Sequence, residues 1–280
     1  MWFCRYELKP RRALSALAGA RVRHGALIRT ENGFADVHPW PELGDATIEE
    51  QLTRLARNET TPLTDASLRL ASLDGEARER GVSLFKDVQI PESHWPGNGP
   101  PPSFDTVKIK WVAQWGGGAP AAAKLRIDFN AQLTAEEFES IAKTLPKDRI
   151  DFIEDPCPYD AATWRKLRDR TGLRLALDRT FAEEGVDVVV VKPAIQEVPK
   201  TEKEIVVTSY MDHPVGQLGA AYIAAKHATS SRCGLVTHVL FDGNAFSEQL
   251  AIDGMRLVPP SGTGIGFDDV LERMPWRRLR

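Results

Sequence analysis

The 280-residue sequence contains little cysteine. Its three cysteines, Cys4, Cys157 and Cys233, lie far apart and form no Cys-x-x-Cys pair. This spacing argues against a disulfide framework and against a cysteine-based zinc site, because both need paired or clustered thiols. We therefore expect free thiols in a reducing, cytoplasmic environment.

Long apolar runs are also absent. No stretch approaches the roughly 20 apolar residues that a membrane span needs, so we expect no membrane association. Arg11 and Arg12 precede a short stretch from Ala13 to Ala20 that faintly resembles an export signal. That stretch contains only two leucines and follows a strand-like segment, so we expect that the chain is not exported.

Neither sign of charge is in excess. The chain has 36 Lys and Arg against 39 Asp and Glu, a formal net charge of −3, which predicts no nucleic-acid-binding surface. Local Lys and Arg side chains would therefore have to hold an acidic substrate. Hydrophobic residues make up 42% and charged residues 27%, which is the balance of a folded globular protein.

Residues 1–81 are predicted to form an α+β capping domain that residues 255–280 complete. Met1 to Leu8 and His24 to Arg29 have strand patterns. Thr47 to Ala56 has a helix pattern that begins with a Thr47/Glu50 capping box. The proline-rich stretch from Pro91 to Pro102 that follows is predicted to be a linker or a long loop.

Residues 82–254 alternate short β-branched runs with helical patterns. Alternation of this kind predicts a parallel α/β sheet, and eight strands predict a closed barrel. The predicted strands are Val82 to Val88, Val107 to Val112, Lys124 to Phe129, Ile150 to Ile153, Leu173 to Leu177, Val186 to Val191, Ile205 to Thr208 and Cys233 to Val239.

Several outer helices of a full barrel are missing from this segment. Helices are predicted at Thr134 to Leu145, Ala161 to Arg170 and Val215 to His227. After the strand Val107 to Val112, the glycine-rich stretch Gln114 to Ala123 stands where a helix would be expected. The connections after Leu177 and Val191 are also short. The predicted fold is therefore an α/β, TIM-like (β/α) barrel with several outer helices reduced to loops. Long loops or a partner subunit would cover the exposed strands, and the sequence leaves the oligomeric state open.

Charged residues stand at the ends of five consecutive predicted strands. All carboxyl ends of parallel barrel strands open on one face, so these side chains should surround one mouth. Three carboxylates gathered there would repel one another unless a hard cation such as Mg²⁺, or Mn²⁺ in its place, binds them. The residues are Lys108 and Lys110, then Asp128, Glu154, Asp178 and Lys192.

This set predicts removal of a proton beside a carboxylate. A carboxylate on Mg²⁺ has a more acidic α-proton, because the metal stabilises the developing negative charge. Lys110 is the expected base, with Lys108 beside it and Lys192 across the mouth. Each residue alone has a plainer explanation as a solvated strand face or a turn, and the ordered set carries the prediction.

These motifs resemble the enolase superfamily, in particular its muconate-lactonising subgroup, whose known chemistry uses a Lys base and Mg²⁺. Within the subgroup, Arg126 and the Glu-Asp-Pro-Cys sequence are most similar to the o-succinylbenzoate synthase family. The motifs are Lys108-Ile109-Lys110, Arg126-Ile127-Asp128-Phe129-Asn130, Ile153-Glu154-Asp155-Pro156-Cys157, Leu177-Asp178 and Val191-Lys192-Pro193.

The resemblance implies a syn dehydration in menaquinone biosynthesis, from 2-succinyl-6-hydroxy-2,4-cyclohexadiene-1-carboxylate to o-succinylbenzoate. Asp128, Glu154 and Asp178 would bind the metal, Lys110 would remove the proton and Lys192 would stabilise the intermediate. The implied substrate contacts are Arg126, Asn130, Ser209 and Met211.

Arg179 departs from the family, which usually has an acidic residue there. The alternatives are an N-succinylamino acid racemase, a dipeptide epimerase or a muconate cycloisomerase of the same subgroup, and a non-catalytic degenerate barrel. Capping loops near His24 and from Asn32 to Pro41 are expected to close over the mouth and select the substrate.

Overall fold

The computed structural model describes residues 1–14, 18–97, 99, 101–111, 123–227 and 231–280. The predicted glycine-rich loop from Gln114 lies outside these residues, apart from Ala123, and so does the predicted strand end at Val112. The strands are β1 (Trp2–Leu8), β2 (Arg23–Arg29), β3 (Phe34–Val37), β4 (Trp95–Pro96), β5 (Thr106–Lys110), β6 (Lys124–Asp128), β7 (Ile150–Glu154), β8 (Leu175–Asp178), β9 (Val188–Val191), β10 (Glu204–Val207), β11 (Ala251–Asp253), β12 (Arg256–Val258) and β13 (Arg277–Arg278). The α-helices are α1 (Ile48–Ala56), α2 (Pro62–Glu79), α3 (Ala135–Ala142), α4 (Ala161–Thr171), α5 (Pro214–Lys226) and α6 (Asp268–Glu272).

The capping sheet is antiparallel and has the strand order β13-β1-β2-β3. The C-terminal strand pairs with β1 through Trp2 and Arg278, which is the contact that completion of the capping domain by residues 255–280 requires. The domain boundary at residue 81 stays a prediction. The Thr47/Glu50 capping box of α1 is confirmed.

Helix α2 was missed by the sequence analysis although it carries two start signals. Pro62 occupies its first turn, and Thr61 forms a reciprocal cap with Thr64. Threonine replaces the usual Glu or Gln in this box, and threonine is a weak helix former, so the signal was not recognised.

The barrel sheet is parallel, with the order β10-β9-β8-β7-β6-β5-β4. Its two edges meet at Cys233 and Gly234. The backbone N–H of His94 donates to Cys233 O at 2.8 Å, and that of Ser209 donates to Gly234 O at 3.0 Å. The predicted TIM-like barrel with reduced outer helices is therefore confirmed.

Two predicted barrel strands were wrong. Val82 to Val88 forms one isolated bridge, between Ser83 and Gly264, and then a turn. The first parallel strand is instead β4, inside the proline-rich stretch, where the missing N–H of Pro96 limits the pairing to two residues. The last strand is reduced to bridges at Cys233 and Gly234, because a 3-10 helix, Thr237–Leu240, follows.

Loops cover the barrel where outer helices are missing. Residues 179–187 and 192–203, which the structure describes in full, contain no helix. Val189 and Val191 on β9 nevertheless have no exposed surface, and they belong to a core to which Ala182 and Val198 are added from these loops. The chain's own loops therefore cover this flank. No described helix is both long and apolar enough to span a bilayer.

A buried acid pair lies where the cap meets the barrel. Asp36 on β3 accepts the Tyr6 hydroxyl at 2.5 Å and the His213 backbone N–H at 3.1 Å. Burial, and then the charge of Asp212, raises the pKa of Asp36 well above its usual value. Burial raises the pKa of Asp212 to about 7.

The other titratable groups around the pair keep one charge state near neutral pH. Burial lowers the pKa values of His38 and His213 to about 3, so both imidazoles are neutral. Burial also raises the pKa of Tyr6, which therefore stays protonated. Within this group, Asp212 is therefore the carboxyl whose raised pKa, about 7, lies near neutral pH.

Removing the Asp212 charge should therefore flatten the pH dependence of stability. A raised carboxyl pKa favours the folded state at low pH, and this contribution is lost as the pH rises through about 7. Relative to Asp212→Asn, the wild-type free energy of unfolding should fall by up to roughly 1.4 kcal/mol per pH unit between about pH 5 and pH 7.

Denaturant unfolding of both proteins across this range measures the difference. Asp253→Asn, at an exposed acid on β11, is the control and should follow the wild type. Parallel profiles for wild type and Asp212→Asn would show that the pair does not titrate with folding.

Candidate active site

The carboxyl ends of β5, β6 and β7 bring two lysines and two acids together. The sheet register aligns Lys110 with Asp128, and Asp128 with Glu154. Lys108 Nζ donates to both Glu154 carboxylate oxygens at 2.6 Å and lies 3.1 Å from Asp128 Oδ2. Lys110 Nζ donates to the same Asp128 oxygen.

The next two strands add a third pair. Asp178 ends β8 and Lys192 follows β9, and their side chains form a buried ion pair. Asp128, Glu154 and Asp178 are only 0%, 1% and 9% exposed, so each carboxylate is nearly removed from water. The structure thus gathers all six predicted strand-end residues at one end of the barrel.

Burial and mutual repulsion dominate the electrostatics of these acids. Burial, and then the charge of Asp128, raises the pKa of Glu154 to about 7. Burial alone would raise the pKa of Asp128, but Lys110 and Lys108 hold it below its usual value. Burial alone would lower the pKa of Lys108, yet Glu154 and Asp128 raise it. The acids therefore need nearby positive charge.

The donor set fits a hard cation in its chemistry. Carboxylate oxygens are the ligands that Mg²⁺ prefers, and the Lys108 ammonium already occupies the position of a cation between Asp128 and Glu154. Asp178 bonds Lys192 instead. Among the described residues no three acidic, His or Cys side chains are grouped to hold a metal. The three-ligand set therefore stays a prediction.

A cavity of about 330 Å³ lies beside these strand ends. Lys108, Lys110 and Lys192 all line it, and none of the described residues in its lining is acidic. Its size is at the lower end of the range for small-molecule sites. The cavity is therefore suited to a small anion. Its other lining residues are Arg12, Ala13, Leu14, His94, Pro96, Gly97, Ile109, Thr208, Ser209, Met211, Gly234, Thr237 and Leu240.

Of the two hydroxyl groups that follow β10, one is hydrogen-bonded within the protein and the other is available to a ligand. The predicted contact Ser209 lines the cavity, but its Oγ is 2.5 Å from Thr237 Oγ1. The neighbouring Thr208 Oγ1 is buried and has no hydrogen-bond partner among the described atoms. Thr208 was missed because we treated it only as the end of a predicted strand. Met211, also predicted, lines the cavity with a left-handed φ of 51°.

Arg126 and Asn130 do not line the cavity. The buried Arg126 guanidinium donates to Asp151 at 2.7 Å and lies 3.0 Å from His94 Nδ1. The backbone N–H of Asn130 donates to Asp128 Oδ1 at 2.9 Å. These contacts support neighbouring site residues, and a direct contact of either residue with substrate stays a prediction.

Arg12 to Leu14 is the part of the cap that lines the cavity among the described residues. This corrects our expectation for the loop near His24 and for Asn32 to Pro41, neither of which lines it. His24 is exposed and lies 3.6 Å from Glu7. A backbone bond from Arg11 N to Leu240 O, 2.9 Å, ties the Arg12 segment to the barrel. Arg12, one of the two arginines before the stretch that faintly resembled an export signal, therefore lines the cavity.

Arg12 is held at one edge of the cavity. Its guanidinium donates to Pro96 O at 2.7 Å. It also fills the space beside Gly97, where a Cβ atom would come within 2.1 Å of Arg12 Nη2. Glycine allows this approach without displacing the guanidinium, and its φ of 98° also favours glycine.

Comparisons with known proteins found similar sequences. A family model described as o-succinylbenzoate synthase, N-terminal domain, matches residues 1–77. The o-succinylbenzoate synthase of Bdellovibrio bacteriovorus is 32% identical over 98% of this chain and 97% of its own length.

Solved structures share the fold. A mandelate racemase/muconate lactonizing protein from Herpetosiphon aurantiacus has a TM-score of 0.75 at 15% identity, over 94% of this chain and 96% of that one. A dipeptide epimerase from Enterococcus faecalis, solved with Mg and L-Leu-L-Tyr, has a TM-score of 0.73 at 15% identity, over 94% and 97%. At this identity the likeness concerns the fold alone.

Two substitutions should change Mg²⁺ affinity in opposite directions. Asp128→Asn should weaken binding at least about tenfold, because it removes a charged ligand. Lys108→Met should strengthen binding, because it removes the ammonium that competes for Asp128 and Glu154. Calorimetric titration with MgCl₂ measures both changes.

Asp148→Asn, at an exposed acid, is the control and should bind like the wild type. Wild-type protein without measurable Mg²⁺ binding, or equal affinities for all four proteins, would contradict the metal site.

Proposed function

Because this chain belongs to the o-succinylbenzoate synthase family of the enolase superfamily, we propose that it is a Mg²⁺-dependent lyase. The proposed reaction is the dehydration of 2-succinyl-6-hydroxy-2,4-cyclohexadiene-1-carboxylate to o-succinylbenzoate, as a cytoplasmic step of menaquinone biosynthesis. The observation that carries the proposal is that Lys110 and Lys192 line one cavity, beside three buried carboxylates.

Asp128, Glu154 and Asp178 are the proposed Mg²⁺ ligands. The bound ion would supply the positive charge that acidifies the proton beside the substrate carboxylate. Asn130 orients Asp128 through its backbone N–H. Arg126 contacts His94, which lines the cavity.

Lys110 is the proposed base. Its amine takes the proton from the ring carbon and delivers it to the departing hydroxyl on the same face, so water leaves and the ring becomes aromatic. Lys192 stabilises negative charge on the ring from its own side of the cavity. Lys108 balances the charges of Asp128 and Glu154.

The substrate has two carboxylates, and the cavity lining has cationic and hydroxyl groups for both. Arg12 is the guanidinium at the mouth, and Thr208 has an available hydroxyl. We assign these groups, with Ser209 and the backbone near Met211, to the succinyl arm. Charge-assisted bonds to a carboxylate are stronger than neutral ones, so Arg12 should contribute most.

A racemase or epimerase of the same subgroup is the second candidate. The observation that favours it is the presence of lysines from β5 and β9 on one cavity, because racemisation needs two bases. Dehydration needs mainly one. Turnover of N-succinyl amino acids, with none of the cyclohexadiene, would select this candidate.

Loss of the base should nearly abolish turnover. Lys110→Met should lower kcat by roughly 10²–10⁴-fold, the usual contribution of a positioned base, while Mg²⁺ still binds. Appearance of the aromatic product, followed by ultraviolet absorbance with Mg²⁺ present, measures the rate. Lys166→Met, at an exposed lysine on α4, is the control, and wild-type rates for Lys110→Met would refute the role of this lysine.

The two neighbouring hydroxyls should differ in their effect on substrate binding. Thr208→Val should raise KM by roughly three- to tenfold, because one hydrogen bond to substrate is lost. Ser209→Ala should change KM less, because its hydroxyl is engaged with Thr237. Steady-state kinetics of both variants measure the two KM values. A larger increase in KM for Ser209→Ala than for Thr208→Val would assign the substrate contact to Ser209.

A further inference from the structure

Arg179, the residue that departs from the family pattern, points to the capping domain. Its backbone adopts a left-handed φ of 65° directly after Asp178. Its guanidinium donates to the Tyr210 hydroxyl at 2.7 Å and to Leu43 O at 3.2 Å, and it lies 3.9 Å from Asp45 Oδ1. The side chain therefore bridges a barrel strand end and the segment 40–45.

Tyr210 completes the bridge. The residue is 1% exposed, and its hydroxyl donates to Asp45 Oδ2 at 2.9 Å. Asp45 Oδ2 also accepts the Trp40 backbone N–H at 2.8 Å, and the Trp40 indole N–H donates to Tyr210 O at 2.8 Å. These bonds form a closed ring between cap and barrel.

The ring reaches the candidate site through the backbone. Tyr210 lies between Ser209 and Met211, which both line the cavity. Met211 has a left-handed φ of 51°, a conformation that persists only where the surroundings hold it. Hydrogen bonds at both the hydroxyl and the carbonyl of Tyr210 provide that support.

A guanidinium suits this position better than other side chains. Its planar donors serve Tyr210 and Leu43 at once, and its carbon lies 5.3 Å from the Tyr210 ring centroid in a cation–π contact. An acid here would face Asp45 and Asp178 and would be repelled by both. The departure from the family pattern therefore has a physical role.

We propose that Arg179 is a positioning residue that fixes the cap segment 40–45 against Tyr210 and thereby sets the Ser209–Met211 wall of the cavity. This inference rests on the proposed function for its kinetic effect, but not for the structural contact. Its loss affects how substrate is held, and the groups that move the proton stay in place.

Steady-state kinetics and amide hydrogen exchange of Arg179→Met together test the contact of Arg179 with segment 40–45, which we call the clamp. KM should rise about tenfold, as expected for loss of bonds from a charged donor, and kcat should change less than about twofold. Amides of residues 40–45 should exchange faster. Arg179→Lys should restore part of both effects, since it keeps the charge but not the two-way geometry.

Arg165→Met is the matched control, because Arg165 is an exposed arginine that lies 3.4 Å from Glu184. It should behave as the wild type in both measurements. The double variant Arg179→Met/Asp45→Asn should raise KM by less than the product of the fold-changes of the two single variants. Both substitutions disrupt the same set of hydrogen bonds between segment 40–45 and Tyr210.

Unchanged exchange at residues 40–45 would overturn the clamp. Faster exchange with an unchanged KM would overturn the positioning role, and so would a loss confined to kcat. Failure of the proposed function is seen separately, as a wild-type protein that does not convert the cyclohexadiene. In that case, comparing amide exchange at residues 40–45 between wild type and Arg179→Met still tests the structural contact.

Discussion

Three buried carboxylates at one end of a parallel barrel set the conditions for the rest of this structure. A buried ionised carboxylate without a partner is strongly destabilising, so each must face a cation. Lys108, Lys110 and Lys192 meet this need in the structure. The same balance holds the lysines beside the cavity, where amines can act on a substrate. Protein stability and the proposed chemistry therefore depend on the same side chains.

The cap completes the site through contacts that are remote in sequence. Arg12 reaches the mouth because backbone bonds tie its segment to the barrel near Leu240. The segment around Trp40 reaches Tyr210, just behind the cavity wall. Neither contact involves the charged strand ends. The barrel therefore supplies the proposed reacting groups, and the cap lines part of the cavity beside them.

The sequence predicted those features that repeat along the chain. Strand alternation and parallel topology force Asp128, Glu154 and Asp178 to the same end, so their grouping followed from order alone. Features set by tertiary contacts were not predicted. Strand β4 contains Pro96, which argues against a strand in the sequence. Only its pairing with β5 in the folded protein identifies it as a strand. The difference between the engaged Ser209 hydroxyl and the available Thr208 hydroxyl is set by Thr237, which is remote in sequence and contacts only Ser209 of the two.

Loss of outer helices leaves the site intact because the helices do not carry it. Asp178 and Lys192 are separated by 14 positions (192 − 178), too few for a full helix and strand, yet β8 and β9 pair in register. Buried Val189 and Val191 on the outer face of β9 show that short loops can replace a helix as cover. Because the strand ends carry the site residues, short connections on this flank are compatible with the site.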